Sequence, residues 1–182
     1  MKQSNKNLVV WEFENIISAV EAGQYEKLNI SKLENLILQK MPRQLDMVGD
    51  ALPKIDTLAV SLSRALNKTS IAERSRRDDM LLAITLLYSV IGGDAKVDDL
   101  IAKVQKKQID GINEKFVLDK MYNFKEKGKK LSNGHKIWSK LVRAYKRGEI
   151  TAVKGHSRKV EAMLDKEMKK GFFQKIIEFI GL

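Results

Sequence analysis

The sequence predicts an all-α protein, an irregular bundle of about six to eight helices around one central apolar helix near residues 71–91. Three observations predict it. Only two prolines, Pro42 and Pro53, interrupt 182 residues, and Leu, Ile, Lys, Glu and Ala, which lose little freedom in a helix, fill the long stretches. Apolar residues recur at three- and four-residue intervals through most of the chain. The longest apolar run, "MLLAITLLYSVI", covers residues 80–91. Apolar on nearly every side, it reads as a buried helix, and it falls short of the roughly 18 to 20 residues that span a bilayer.

Val9, Phe13, Ile16, Ile17 and Val20 lie close to a helical stripe over residues 8–22, and Gly23 is its stop. The alternation Val9, Trp11, Phe13 also fits a short strand. Ser31-Lys32-Leu33-Glu34 has the spacing of a capping box, in which hydroxyl and carboxylate satisfy free N–H groups at a helix start. Leu33, Leu36, Ile37 and Met41 face inward from it. Pro42 kinks or ends that helix, with a second piece running to about Val48 and Gly49. Pro53 suits the first turn of the next helix, whose inward stripe is Leu58, Leu62, Ala65 and Leu66.

A second box, Ser70-Ile71-Ala72-Glu73, opens the central helix, and Gly92-Gly93 closes it. The mixed-sign "ERSRRDD" at residues 73–79 reads as a solvated face. Asp94 caps a helix bearing Val97, Leu100, Ile101 and Val104. Gly111 breaks the pattern, and Phe116, Val117, Met121 and Phe124 resume it before "KEKGKK". There is no fixed-period repeat and no heptad run. With no Pro/Gly/Ser-rich linker, residues 1–168 read as one helical domain whose C-terminal half, 103–159, is basic, and residues 169–182 as an amphipathic C-terminal helix.

The net charge of +11 is unevenly placed. Residues 1–102 hold 13 Lys and Arg against 14 Asp and Glu, and residues 160–182 hold 4 against 4. Residues 103–159 hold 17 against 5, a net of +12, so the whole excess lies in one block. Such a block attracts an anionic polymer or surface: nucleic acid, anionic lipid or an acidic protein. It also fits a merely solvated lysine-rich face. Lysine outnumbers arginine 26 to 8, which argues against base-specific reading by the planar guanidinium fork and for diffuse, salt-sensitive attraction.

Within the block, "SNGHKIWSKLVRAYKR" at residues 132–147 reads as a basic amphipathic helix. At 100° per residue, Ile137, Trp138, Leu141, Val142 and Tyr145 share one arc, and Lys136, Lys140, Arg143, Lys146 and Arg147 the opposite one. The apolar arc packs in the bundle or lies on a membrane, and either arrangement turns the cations outward. Lys129 and Lys130 before it, and Arg158 and Lys159 after it, extend the positive surface. Gly128, Gly134, Gly148 and Gly155 fall at loop-like positions, without the spacing of a nucleotide-phosphate cradle.

Little in the sequence points to chemistry. There is no cysteine, hence no thiolate ligand or thiol nucleophile, which fits a reducing cytoplasm. His135 and His156 lie among lysines rather than carboxylates, a poor setting for a divalent metal. Asp78-Asp79 and Asp98-Asp99 stand at or near helix starts, where the helix dipole accounts for them. No catalytic residue, metal, cofactor or small-molecule substrate is expected. Glu12 and Glu14 interrupt the apolar patch near the N-terminus, so no signal-peptide route is expected either.

The chain ends in "KKGFFQKIIEFIGL". On a helix, Phe172, Phe173, Ile176, Ile177, Phe179 and Ile180 form one apolar arc, with Gln174, Lys175 and Glu178 opposite. In pattern this resembles the short C-terminal amphipathic membrane-targeting helices of bacterial peripheral membrane proteins. Partial insertion of such a tail recovers on the order of 4–5 kcal/mol, and each flanking lysine near an anionic leaflet adds about 1 kcal/mol. The tail either closes the protein's own core, enters a membrane surface or meets a partner protein.

Together these readings lead to a non-catalytic cytoplasmic binding or adaptor protein. Its basic block engages an anionic surface, and its tail attaches to the inner face of a membrane or to a partner protein. Two alternatives stand beside it: a nucleic-acid-binding protein whose 132–147 helix follows phosphates, and a regulatory or antagonist protein acting by protein–protein contact.

Overall fold

Every residue from Met80 to Val90 except Tyr88 is buried, so α4 (Arg74–Val90) is the axis that the other helices cover. The computed structural model describes residues 8–43, 48–151, 155–156, 162, 165–166 and 169–170. Around α4 stand α1 (Leu8–Glu21), α2 (Ile30–Asn35), α3 (Val48–Lys68), α5 (Asp94–Gln105), α6 (Glu114–Gly134) and α7 (Lys136–Lys146). α3 and α6 make the most extensive contacts with α4, α1 lies on α3, and α7 packs against both α3 and α6. A two-residue antiparallel ladder, with Ile150 opposite His156 and Thr151 opposite Gly155, follows α7. The chain is all-α, with the expected apolar helix at its centre. The N-terminal stripe is a helix and not a strand, with Phe13 fully buried.

Two hydroxyls inside α4 are satisfied by its own backbone: Thr85 Oγ1 donates to the Leu81 carbonyl at 2.9 Å and Ser89 Oγ to Leu86 at 2.8 Å. The helix ends as its glycines predict. Gly92 adopts φ +70°, and the Gly93 N–H donates to the Tyr88 carbonyl at 2.8 Å, closing a Schellman motif. Gly111, at φ +68°, likewise marks the break before α6.

Several local expectations are corrected. Asn29, not Ser31, caps α2, because its Oδ1 accepts from the Lys32 N–H at 2.9 Å. Glu34 instead pairs with Lys127 of α6. Past Asn35 the helix continues through a π turn (Leu36–Lys40) and a 3₁₀ turn (Met41–Arg43) that contains Pro42. Val48 and Gly49 begin α3 rather than end the preceding piece, so Pro53 lies inside α3 and the Gly49 carbonyl lacks its helical N–H partner.

Ser70 and Glu73 form no capping box either. Ser70 Oγ accepts from the Ala72 N–H at 3.3 Å, its carbonyl accepts from the Glu73 N–H at 3.0 Å, and α4 starts only at Arg74.

"ERSRRDD" is not wholly a solvated face, since Arg77 and Asp78 are buried. The end of α3 leaves carbonyls without helical partners, and Arg77 Nη1 supplies donors to Leu66 at 2.6 Å and Thr69 at 2.8 Å. Its Nε donates to the Asp110 carbonyl at 2.9 Å, while Asp78 Oδ1 accepts from the Asn113 N–H at 2.8 Å. One arginine and one aspartate thus join the end of α3 and the start of α6 to the start of α4.

Gly128 is not at a loop position. It lies buried within α6 against α4, where an added Cβ would stand 2.6 Å from Ser89 Cβ and 2.8 Å from its carbonyl carbon. The glycine permits the two helices to approach closely and marks no loop.

Candidate anionic-surface site

The basic amphipathic helix is shorter than its sequence pattern. α6 runs without interruption through "KEKGKK" to Gly134, and only His135, at φ −112° and ψ 102°, breaks it. α7 therefore begins at Lys136 and ends at Lys146, leaving residues 132–134 on α6 and Arg147 beyond the helix.

The apolar arc of α7 is core. Trp138, Leu141, Val142 and Ala144 are buried, and Ile137 and Tyr145 are half-buried against the same cluster. Trp138 Nε1 donates to the Val90 carbonyl at 3.0 Å, tying α7 to the last turn of α4. Burial raises the Tyr145 phenol above its usual range, with the Asp56 carboxylate adding to the effect. Packing consumes the apolar face, so it is not available to a membrane.

The cations on the opposite arc divide by what they touch. Lys146 donates to the Gly92 carbonyl at the end of α4, and Arg147 pairs with Glu149 at 3.2 Å. Arg143 is exposed, its Nε donating to the Ser139 carbonyl one turn back at 3.2 Å. Lys140 is half-buried. Lys129 and Lys130 on α6 and Lys136 at the start of α7 are exposed, with no ion-pair partner among the described residues. Lys129, Lys130, Lys136 and Arg143 thus stay exposed on either side of the α6–α7 junction, while Lys146 and Arg147 make local contacts. Arg158 and Lys159 lie outside the described residues, as do Phe172, Phe173, Ile176, Ile177, Phe179 and Ile180 of the tail.

Folding also lowers the charge density of the basic block. Lys125 pairs with Asp98 and Lys127 with Glu34, both acids from the weakly acidic first half, while Lys103 pairs with Asp99 at 2.7 Å. The hydrogen bond to Asp98 holds the Lys125 ammonium above the usual lysine range, so it stays charged and occupied. Among the described residues Lys106, Lys107, Lys115 and Lys120 are also exposed without an ion pair, so the cations flanking the α6–α7 break are part of a wider unpaired set.

His135 is the half-buried residue at the break between α6 and α7. Its Nδ1 is buried and without a hydrogen-bond partner. Among the described residues no three His, Cys, Asp or Glu side chains come close enough to hold a metal ion. A hollow of about 950 Å³ between the starts of α4 and α6 is lined by charges of both signs, Arg74, Asp78, Glu114 and Lys115 among them. Burial holds the Asp78 and Asp79 carboxyls beside it above the ordinary carboxylate range, and the two charges repel one another. The buried roles of Arg77 and Asp78 went unread, although an Arg-Asp pair just before a twelve-residue apolar run is a signal that both enter the core with it. Among the described residues no helix is long and apolar enough to cross a membrane.

No protein-family model matches this chain, and no curated protein or solved structure matches it either.

Proposed function

We propose that this is a non-catalytic binding protein that engages an anionic surface through the cations of the α6–α7 junction and attaches to a membrane surface through its amphipathic tail. The observation that carries this reading is the division of labour on α7. Its apolar face is spent on the core, and the exposed Lys136 at its start, like Lys129 and Lys130 of α6, is left without an acidic partner among the described residues. Three flexible ammonium groups with no fixed fork geometry favour a diffuse polyanion over a patterned one. The tail supplies apolar area that the basic patch lacks, and neither alone gives more than weak attachment.

The test is co-sedimentation of the full chain, of a version ending at Lys170, and of K129E/K130E/K136E with anionic and neutral vesicles, beside a DNA mobility shift at the same salt. Binding to anionic vesicles that needs both tail and lysines supports the proposal. At about 1 kcal/mol per cation, reversing three charges weakens it on the order of 100-fold or more, and added salt weakens the wild type. Tail-independent DNA binding with a steep salt dependence would replace it by the nucleic-acid reading. Indifference to both at low salt would refute both.

A further inference from the structure

A second surface, sharing no residue with the α6–α7 cations, lies between α1 and the α2–π-turn segment. There the two elements leave a groove of about 620 Å³, within the size range of ligand sites. Its apolar surface is offered by the half-buried Ile16 and by Trp11, which is 49% exposed, while Leu36 at its floor is buried in the core. Lys27, Lys32 and Lys40 supply cations along it, and Glu12 is the lone acid of the lining. Glu12 is already bound to Lys40 at 2.9 Å, which leaves Lys27 and Lys32 exposed with no acidic partner among the described residues.

We infer that this groove binds an acidic segment of a partner polypeptide, one that carries a bulky apolar side chain next to a carboxylate. The apolar side chain would lie against Ile16 and Trp11, the latter a residue type enriched among the anchors of protein interfaces. The carboxylate would meet Lys27 and Lys32, and a second one would compete with Glu12 for Lys40. Charge complementarity selects an anion over a cation.

The asparagines select a polypeptide over a small free acid. Asn15, Asn29 and Asn35 line the same groove, and each primary amide offers the donor and acceptor pair that main-chain groups satisfy. Asn29 uses its oxygen to cap α2, which leaves its NH₂ as a donor. A π turn, a conformation found disproportionately at functional sites, forms the wall that carries Leu36 and Lys40. The sequence signal was Trp11 itself, which falls off the stripe of Val9, Phe13, Ile17 and Val20 that α1 buries.

The experiment uses the full chain and two short labelled peptides without Trp: an amphipathic one built from Leu, Phe and Glu, and the same peptide with every Glu replaced by Lys. Fluorescence anisotropy reads binding up to about 1 mM. The wild-type minus W11F difference in Trp emission isolates Trp11 from the buried Trp138. The acidic peptide should bind and shift Trp11 emission to the blue, and the lysine peptide should not. W11A and K27E/K32E should each weaken binding at least about tenfold, and more than K129E/K130E/K136E does. The proposal is overturned if neither peptide binds, if both bind alike, or if the groove variants bind as the wild type does. It is also overturned if octanoate shifts Trp11 emission where the peptides do not, which would make the site one for free acids. A red shift of Trp11 on removing residues 171–182 from the unliganded chain would make the tail the occupant and sink it as well.

Discussion

Replacing Gly128 by alanine should destabilise the protein, although the same change at Gly134 in the same helix should not. In an exposed helix, glycine to alanine stabilises by about 0.5–1 kcal/mol. At Gly128 the new methyl would stand 2.6 Å from Ser89 Cβ and 2.8 Å from the Ser89 carbonyl carbon, where nonbonded carbons rest about 3.5–4.0 Å apart. α6 must therefore retreat from α4 by about 1 Å, and overpacking of this kind costs about 1–3 kcal/mol. The net expectation is a loss of about 1–2 kcal/mol, which for a chain of this size lowers Tm by about 2–8 °C. Trimming Ser89 to alanine should rescue little, because the clash with its backbone remains. Nothing lies within 4 Å of a Cβ built at Gly134, so G134A should raise Tm by about 1–4 °C. Thermal and urea unfolding of both variants by circular dichroism checks this. G128A as stable as the wild type would refute the close α4–α6 approach on which the core geometry rests.

Three further outcomes follow from buried polar groups and the α7 anchor. R77K should lose about 2–3 kcal/mol in urea unfolding, because a single ammonium cannot reach the carbonyls of Leu66, Thr69 and Asp110 together and leaves buried acceptors unpaired. Asp79 has its carboxyl raised by burial and by Asp78. The folded protein therefore holds protons that the unfolded chain has released, and this group's contribution to stability declines as pH rises from the ordinary carboxylate range through the raised value. D79N should gain stability relative to wild type across that interval and show no relative gain below it; a constant difference at all pH values would contradict the shift. W138F should lose about 1–2 kcal/mol with the bond to the Val90 carbonyl, and its amide exchange in α7 should quicken more than in α3.

What the sequence determined by itself was whatever depends on neighbours a few residues apart. Helical periodicity marked the inward faces of α1, α3 and α5, and an uninterrupted apolar run marked α4 as the centre. Gly23, Gly92 and Gly111 showed their positive-φ breaks because only a residue without Cβ adopts that backbone cheaply. The amphipathic character of α7 was equally plain, since both of its arcs lie within residues 136–147.

Tertiary structure decided what depends on distant partners. Gly128 looked like loop punctuation until Ser89 of another helix lay against it. Arg77 looked like a surface charge until three carbonyls from elsewhere in the chain converged on it. The basic block carries the same formal charge in either view, but Glu34 and Asp98 reach Lys127 and Lys125 only in the folded chain, and that pairing selects the cations left facing outward. Trp11 and Lys32 stand 21 positions apart in sequence and share a groove only because a turn folds α2 back beside α1. Periodicity reports the face a side chain occupies, whereas packing and charge pairing depend on which face of another element meets it.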